Sequence, residues 1–309
     1  MRKTATLIAL ILAAMAALFT APQAANAATT GDGVSLDARK AAGAEGVTLN
    51  SAVSSWYSGT VGAGGTQSWQ WNNAPADAYK VGFSPSGAST SAVCQFQVTR
   101  TWYVQQPGGE REFHFTIKNT GTISCGTTIL LNSLSAFTNW STGGVNPGAT
   151  QTWQWNNANP LNSAHLVGLI PSGATGTTAC QFEVTRTWYV QQPGGEREFH
   201  FNVKNVGTIA CSASIRLANA TTSTSWSTGA LSPGASGTWH WNNANPLTAV
   251  YLPGLSPQGA SGLQSCDLEI TAEWYLQRLN SGTAEREFYL TVKNVGSLAC
   301  TGTVLLATA

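Results

Sequence analysis

Apolar and polar positions alternate along most of the chain with a period of two. Gln67-Ser68-Trp69-Gln70-Trp71-Asn72 alternates, and so does Cys94-Gln95-Phe96-Gln97-Val98-Thr99, continuing through Trp102 and Val104. Phe113, Phe115 and Ile117 alternate with Glu112, His114, Thr116 and Lys118, and Cys125, Thr127, Ile129 and Leu131 form a further run. Side chains at i and i+2 share a face of a strand, so each run predicts a strand with one apolar face. Turn signals separate the runs: Gly64-Gly65, Pro85-Ser86-Gly87, Pro107-Gly108-Gly109 and Asn119-Thr120-Gly121. No helical stripe occurs beyond the N-terminal apolar segment.

This pattern is written three times. Trp-x-Trp-Asn-Asn-Ala occurs at 69–74, 153–158 and 239–244, Trp-Tyr at 102–103, 188–189 and 274–275, and Glu-Arg-Glu-Phe at 110–113, 196–199 and 285–288. The segments 94–125 and 180–211 agree at 27 of 32 positions, and the third copy adds three residues at the hairpin tip Asn280-Ser281-Gly282. A period of about 86 residues is too long for a solenoid and predicts tandem domains that fold alone. Copies are expected at 47–131, 132–217 and 218–309. The fold class expected is all-β: three small antiparallel β-sandwiches of about 86 residues, each with one disulfide.

The run Asn205-Val206-Gly207, then Trp226, then Pro233-Gly234 resembles bacterial immunoglobulin-like accessory modules. The resemblance implies an immunoglobulin-like sandwich that sits in secreted or surface proteins and binds, spaces or adheres.

Residues 1–27 read as a secretory signal: Arg2 and Lys3, an apolar run from Ala5 to Thr20, and the small-residue site Ala25-Asn26-Ala27. Residues 28–46 lack either period and read as a linker or pro-segment. Cleavage near Ala27 predicts a secreted protein without a transmembrane anchor. The six cysteines fall two per copy, and repeat symmetry pairs Cys94 with Cys125, Cys180 with Cys211 and Cys266 with Cys300. Each bridge would close a loop worth roughly 3–4 kcal/mol on the chain-entropy model.

Composition narrows the function classes. Lys plus Arg number 15 and Asp plus Glu 14, so 9% of residues are charged, against about a quarter in an ordinary globular chain. No dense Lys/Arg field exists for nucleic acid. The four histidines fall where other copies carry different residues: His114 and His200 against Tyr289, His165 against Tyr79 and Tyr251, His240 against Gln70 and Gln154. No catalytic triad, metal site or cofactor site repeats, and no catalytic residue, metal or cofactor is expected. One carboxylate pair does repeat, Glu110/Glu112, Glu196/Glu198 and Glu285/Glu287. Its i, i+2 spacing approaches that of glycosidase acids. Beside a hairpin turn, it reads as a charged edge that opposes aggregation. Arg100 and Arg186 fall on the apolar face of their strand, a costly place unless they stack on Trp102 and Trp188 or reach a glutamate.

Trp69/Trp71, Trp153/Trp155 and Trp239/Trp241 pair two indoles on one strand face. Exposed, they would form a flat platform for sugar rings, with Asn72, Asn73, Asn156, Asn157, Asn242 and Asn243 offering amide hydrogen bonds. Turned inward, the same alternation is core. The expectation is a secreted, non-catalytic protein that binds an extracellular polysaccharide or cell-surface glycan through these three sites. A weak site repeated three times gains avidity on a repetitive surface. The alternative is a structural or self-associating extracellular protein, favoured by a net charge near zero.

Overall fold

The computed structural model describes residues 34–36, 54–74, 77–156, 158, 163–242, 244 and 249–308, and from Gly33 onward the chain is one compact unit. The expected signal at 1–27 lies outside the described residues, as does most of 28–46. Within that second segment, Val34–Leu36 forms a short strand, β1, although its sequence shows no strand period.

The described residues are all-β, with no helix. The first copy supplies β2 (Ser54–Val61), β3 (Thr66–Asn72), β4 (Ala78–Ser86), β5 (Cys94–Gln105), β6 (Arg111–Asn119) and β7 (Cys125–Leu134). The second supplies β8 (Trp140–Ser141), β9 (Thr150–Trp155), β10 (Ser163–Ser172), β11 (Cys180–Gln191), β12 (Arg197–Asn205) and the first part of β13 (Ser212–Ser227). The end of β13 begins the third, followed by β14 (Ser236–Trp241), β15 (Tyr251–Gln258), β16 (Cys266–Asn280), β17 (Thr283–Asn294) and β18 (Thr301–Thr308).

In the first copy β3, β6 and β5 pair in that order, and β2, β7 and β4 form a separate sheet. The facing sides meet through rings: Trp56 with Trp71 at 5.6 Å, Tyr79 with Phe113 at 5.1 Å and Phe83 with Phe96 at 6.0 Å. Cys94–Cys125 ties one sheet to the other, and Cys180–Cys211 and Cys266–Cys300 do the same, with Cα–Cα separations of 6.0, 6.1 and 5.8 Å. These pairings are the ones repeat symmetry implied. They fit an oxidising, extracellular setting. No helix among the described residues is long and apolar enough to cross a membrane.

The repeated Asn-x-Gly turn has a physical reason. Asn119 is fully buried, and its amide donates to Val61 O and Ile123 O while its own oxygen accepts from Gly121 N–H. Asn205 and Asn294 repeat the arrangement. Only a short side chain with both donor and acceptor satisfies these buried backbone groups at once.

The copies do not stand apart as separate beads. The end of β5 (103–105) pairs with the start of β11 (180–182), the end of β11 (188–191) with the start of β16 (266–269), and the end of β16 (275–277) with the start of β5 (94–96). Each of these three long strands therefore pairs with both of the others. A glutamine repeats the same circuit. Gln105 accepts from Ala174 N–H, Gln191 from Gly259 and Ala260 N–H, and Gln277 from Ala88 N–H. Each contact runs from one copy to the next, and the last returns to the first, the head-to-tail pattern of a closing ring.

Glycine permits the close approach. A side chain on Gly82 would meet Val250 and the Tyr275 hydroxyl, one on Gly168 would meet Ala78 and Asp77, and one on Gly254 would meet Ala164. At Gly168 and Gly254 the backbone of the neighbouring copy occupies the space of a Cβ, and at Gly82 the Val250 and Tyr275 side chains do.

Candidate functional site: three outward aromatic–carboxylate clusters

Alternation alone would carry Trp102 into the core with Phe96 and Val98. The structure turns it outward. Between Val98 and Arg100 the register against β6 shifts by one residue, a bulge at Thr99. The same shift occurs between Val184 and Arg186 and between Ile270 and Ala272. An extra residue in one strand exchanges the two faces from that point on. Tyr103 therefore points inward against Phe113 at 5.0 Å, and Trp102 lies outside, paired across from His114.

The Trp-x-Trp pairs point the other way. Trp69 and Trp71 face Phe115 and Phe113 across β6 and are 7% and 9% exposed. Trp153, Trp155, Trp239 and Trp241 are half-buried against the same core, where Trp140 packs on Trp153 and Trp155, and Trp226 on Trp241. Of the two directions the alternation allows, these indoles take the inward one, across from Phe113 and Phe115 on β6, Phe199 and Phe201 on β12, and Phe288 and Leu290 on β17. Asn72, Asn156 and Asn242 alternate with the indoles and so lie on the outer face. Asn73 is a turn residue with φ of 53°, a left-handed conformation that Asn tolerates. Asn157 and Asn243 lie outside the described residues.

The outer face carries one cluster per copy. In the first, the Trp102 and His114 rings stack at 5.0 Å, with both side chains half-buried. Glu112 is 7% exposed, and its carboxylate accepts from Gln106 Nε2 at 2.7 Å and from His114 Nε2 at 2.8 Å. A carboxylate only accepts, so His114 carries its proton on Nε2. Gln70 lies across from His114 and donates to Asn72 Oδ1 at 3.0 Å. The guanidinium of Arg100 covers the Trp102 ring at 4.7 Å and donates to Glu183 of the second copy.

The second copy repeats this with Trp188, His200, Glu198, Gln192, Gln154 and Asn156, at matching distances. There Arg186 covers Trp188 and donates to Glu269 of the third copy. For these arginines, stacking on an indole and pairing with a glutamate occur together.

The third copy keeps the plan with other residues. Trp274, Tyr289 and His240 stack in series at 5.1 Å spacings, Tyr289 donates to Glu287 at 2.5 Å, and Arg278 replaces the glutamine as the second donor to Glu287. Burial and the Glu287 carboxylate push the Tyr289 phenol up. A cavity of about 830 Å³ opens here, lined by His240, Asn242, Arg278, Glu285, Glu287 and Tyr289.

The second glutamate of each pair is therefore not part of a charged sheet edge, whereas Glu110 and Glu196, at the hairpin turns, are exposed. β6, β12 and β17 each pair on both sides, and Glu112, Glu198 and Glu287 are 7%, 7% and 5% exposed, each with Oε2 accepting two hydrogen bonds. Such a carboxylate holds its neighbours in place: it locks an imidazole or phenol against the indole and fixes the amide beside it. Unbroken alternation would bury Trp102, Trp188 and Trp274, so the sequence pattern singles out the asparagines and not these rings. In the first two copies the signal is the arginine two residues earlier, Arg100 or Arg186, whose place on an apolar face marks a slipped alternation; the third copy has Ala272 there.

In comparisons with protein-family models, with characterised proteins and with solved structures, the chain matches none.

Proposed function

We propose that this is a secreted, non-catalytic protein built from three copies of one small β-sandwich, and that it binds extracellular carbohydrate through its outward clusters. One observation supports the reading above others. Three times over, a partly exposed tryptophan lies beside a buried glutamate that fixes the ring stacked on it, together with an amide in the first two copies and the Arg278 guanidinium in the third. An indole at the surface suits the C–H side of a pyranose ring, with Arg100 and Arg186 swinging aside from Trp102 and Trp188 to admit it. Oriented amide and imidazole groups at its margin suit the hydroxyls, and such recognition needs no net charge. The site residues proposed are Trp102, His114, Gln70 and Asn72, with Trp188, His200, Gln154 and Asn156, and with Trp274, Tyr289, His240 and Asn242. Glu112 and Glu198 position His114 and His200, and Glu287 positions Tyr289.

Three such sites on one body favour a repetitive surface over a soluble sugar, since simultaneous engagement raises avidity by about 10²–10⁴. The test is depletion of residues 28–309 from solution by cellulose, chitin, xylan, purified peptidoglycan and whole cells. Removal by one matrix, reversed by its soluble oligosaccharide, is expected. Retention in solution on all of them would overturn the reading.

A further inference from the structure

The three copies are nearly alike, yet they differ in charge where they meet. A central cavity of about 370 Å³ is lined by residues of all three. Each copy brings one titratable side chain there that the others lack. Lys80 comes from the first, where the second and third have Leu166 and Leu252. His165 comes from the second, where the others have tyrosine, and Glu273 from the third, where the others have Thr101 and Thr187. A site shared by three identical chains could offer only three like charges, which repel. This single chain instead places one ammonium, one imidazole and one carboxylate around one space.

We propose that the central cavity is a binding site for a small zwitterion of the free α-amino acid type, one per chain. Lys80 Nζ and Glu273 Oε2 lie 2.5 Å apart, and their side chains keep 17% and 28% of their surface, so a solute reaches both. A ligand carrying its own carboxylate and ammonium sets its carboxylate against Lys80 and its ammonium against Glu273, turning one ion pair into two. A lone anion or a lone cation would have to break the existing pair and leave one charge without a partner, a poor exchange in a partly enclosed site. Gln97, Thr101 and Thr187 supply neutral hydrogen-bonding groups in the same lining. The volume falls within the range of small-ligand pockets, about 300–1,000 Å³. The site is independent of the outward clusters, and neither proposal requires the other.

The test is calorimetric titration of disulfide-bonded 28–309 with each of the twenty free α-amino acids, and with acetate and ethylamine as single-charge controls. Saturable binding of at least one amino acid with a stoichiometry of one is expected, with the controls at least about tenfold weaker. Lys80→Leu and Glu273→Thr install the residues of the other copies, which keeps the fold intact, and each should weaken binding by at least about tenfold. Depletion by polysaccharide should be unchanged in both. Absence of binding by every amino acid, a stoichiometry of three, or binding undiminished in both variants would overturn the proposal.

Discussion

Lys80 Nζ lies 2.5 Å from Glu273 Oε2, and this contact joins the first copy to the last. It belongs to the same junction as the pairing of β16 with β5 and the edge-on packing of Tyr275 against Phe83 at 5.7 Å. The ends of the repeat array are thereby held together by main-chain bonds, ring packing and one ion pair. Lys80→Leu and Glu273→Thr, alone and combined, form a double-mutant cycle for the ion pair. Both groups are mostly shielded from solvent, and a coupling of about 1 kcal/mol in urea denaturation is expected. Additive effects, within about 0.3 kcal/mol, would mean the pair adds nothing to closure.

The close approach between copies makes a second prediction. A Cβ on Gly168 would sit 2.7 Å from Ala78 Cα and from Asp77 O, both backbone of the first copy. Backbone cannot swing aside as a flexible side chain does. Gly168→Ala should therefore cost about 1–3 kcal/mol. Gly144 has open space around it, and Gly144→Ala serves as the matched control with little effect. Equal denaturation midpoints for the two variants would contradict the packing described.

Acid should destabilise the protein partly through one histidine. His165 is 7% exposed, stacks on Phe199 at 5.2 Å and shares the central cavity with Lys80, Glu273 and the Tyr189 ring. Burial pushes its imidazole down to about 4, from 6.5 ordinarily. Between these values the unfolded chain binds the proton and the folded chain does not. The contribution is therefore fully present above about pH 6.5 and is lost as pH falls towards 4, on the order of 3 kcal/mol in all. His165→Tyr restores the residue of the other copies and removes this dependence. Urea midpoints of the two proteins should diverge below pH 6.5, and parallel curves from pH 7 to 4 would refute the assignment.

A single copy should not behave as a self-sufficient monomer. The second carries both members of the contact that links neighbours, Glu183 and Arg186, as well as Gln191. Residues 132–221 alone should assemble head to tail into a closed trimer, seen as a threefold mass by sedimentation. A folded, stable monomer at micromolar concentration would show that the pairings between copies are dispensable.

Much of this was legible in the sequence because period and repetition report local geometry directly. The strands, their turns and the cysteine pairing followed from alternation and from three matching copies. Contacts between copies left no periodic trace, since the pairing of Gln105 with Cys180 depends on how whole modules dock. The candidate site failed for a local reason. A bulge of one residue at Thr99, Thr185 and Thr271 exchanges the faces of a strand, so the tryptophans chosen by alternation, Trp69 and Trp71, are core and Trp102 is not. Arg100 was the visible clue: on an unbroken strand it would point into the core, and on the bulged strand it lies over Trp102.

Two sets of tryptophans that look alike in sequence differ in the face they take. Trp102→Ala/Trp188→Ala/Trp274→Ala removes the outward rings, and Trp69→Phe/Trp153→Phe/Trp239→Phe alters the inward ones while keeping them aromatic. Depletion by the matrix that retains the native protein should fall by at least about tenfold in the first variant, with its folded state intact by near-ultraviolet circular dichroism. It should persist in the second, which loses only stability. Full binding by the first variant, or loss confined to the second, would contradict the account.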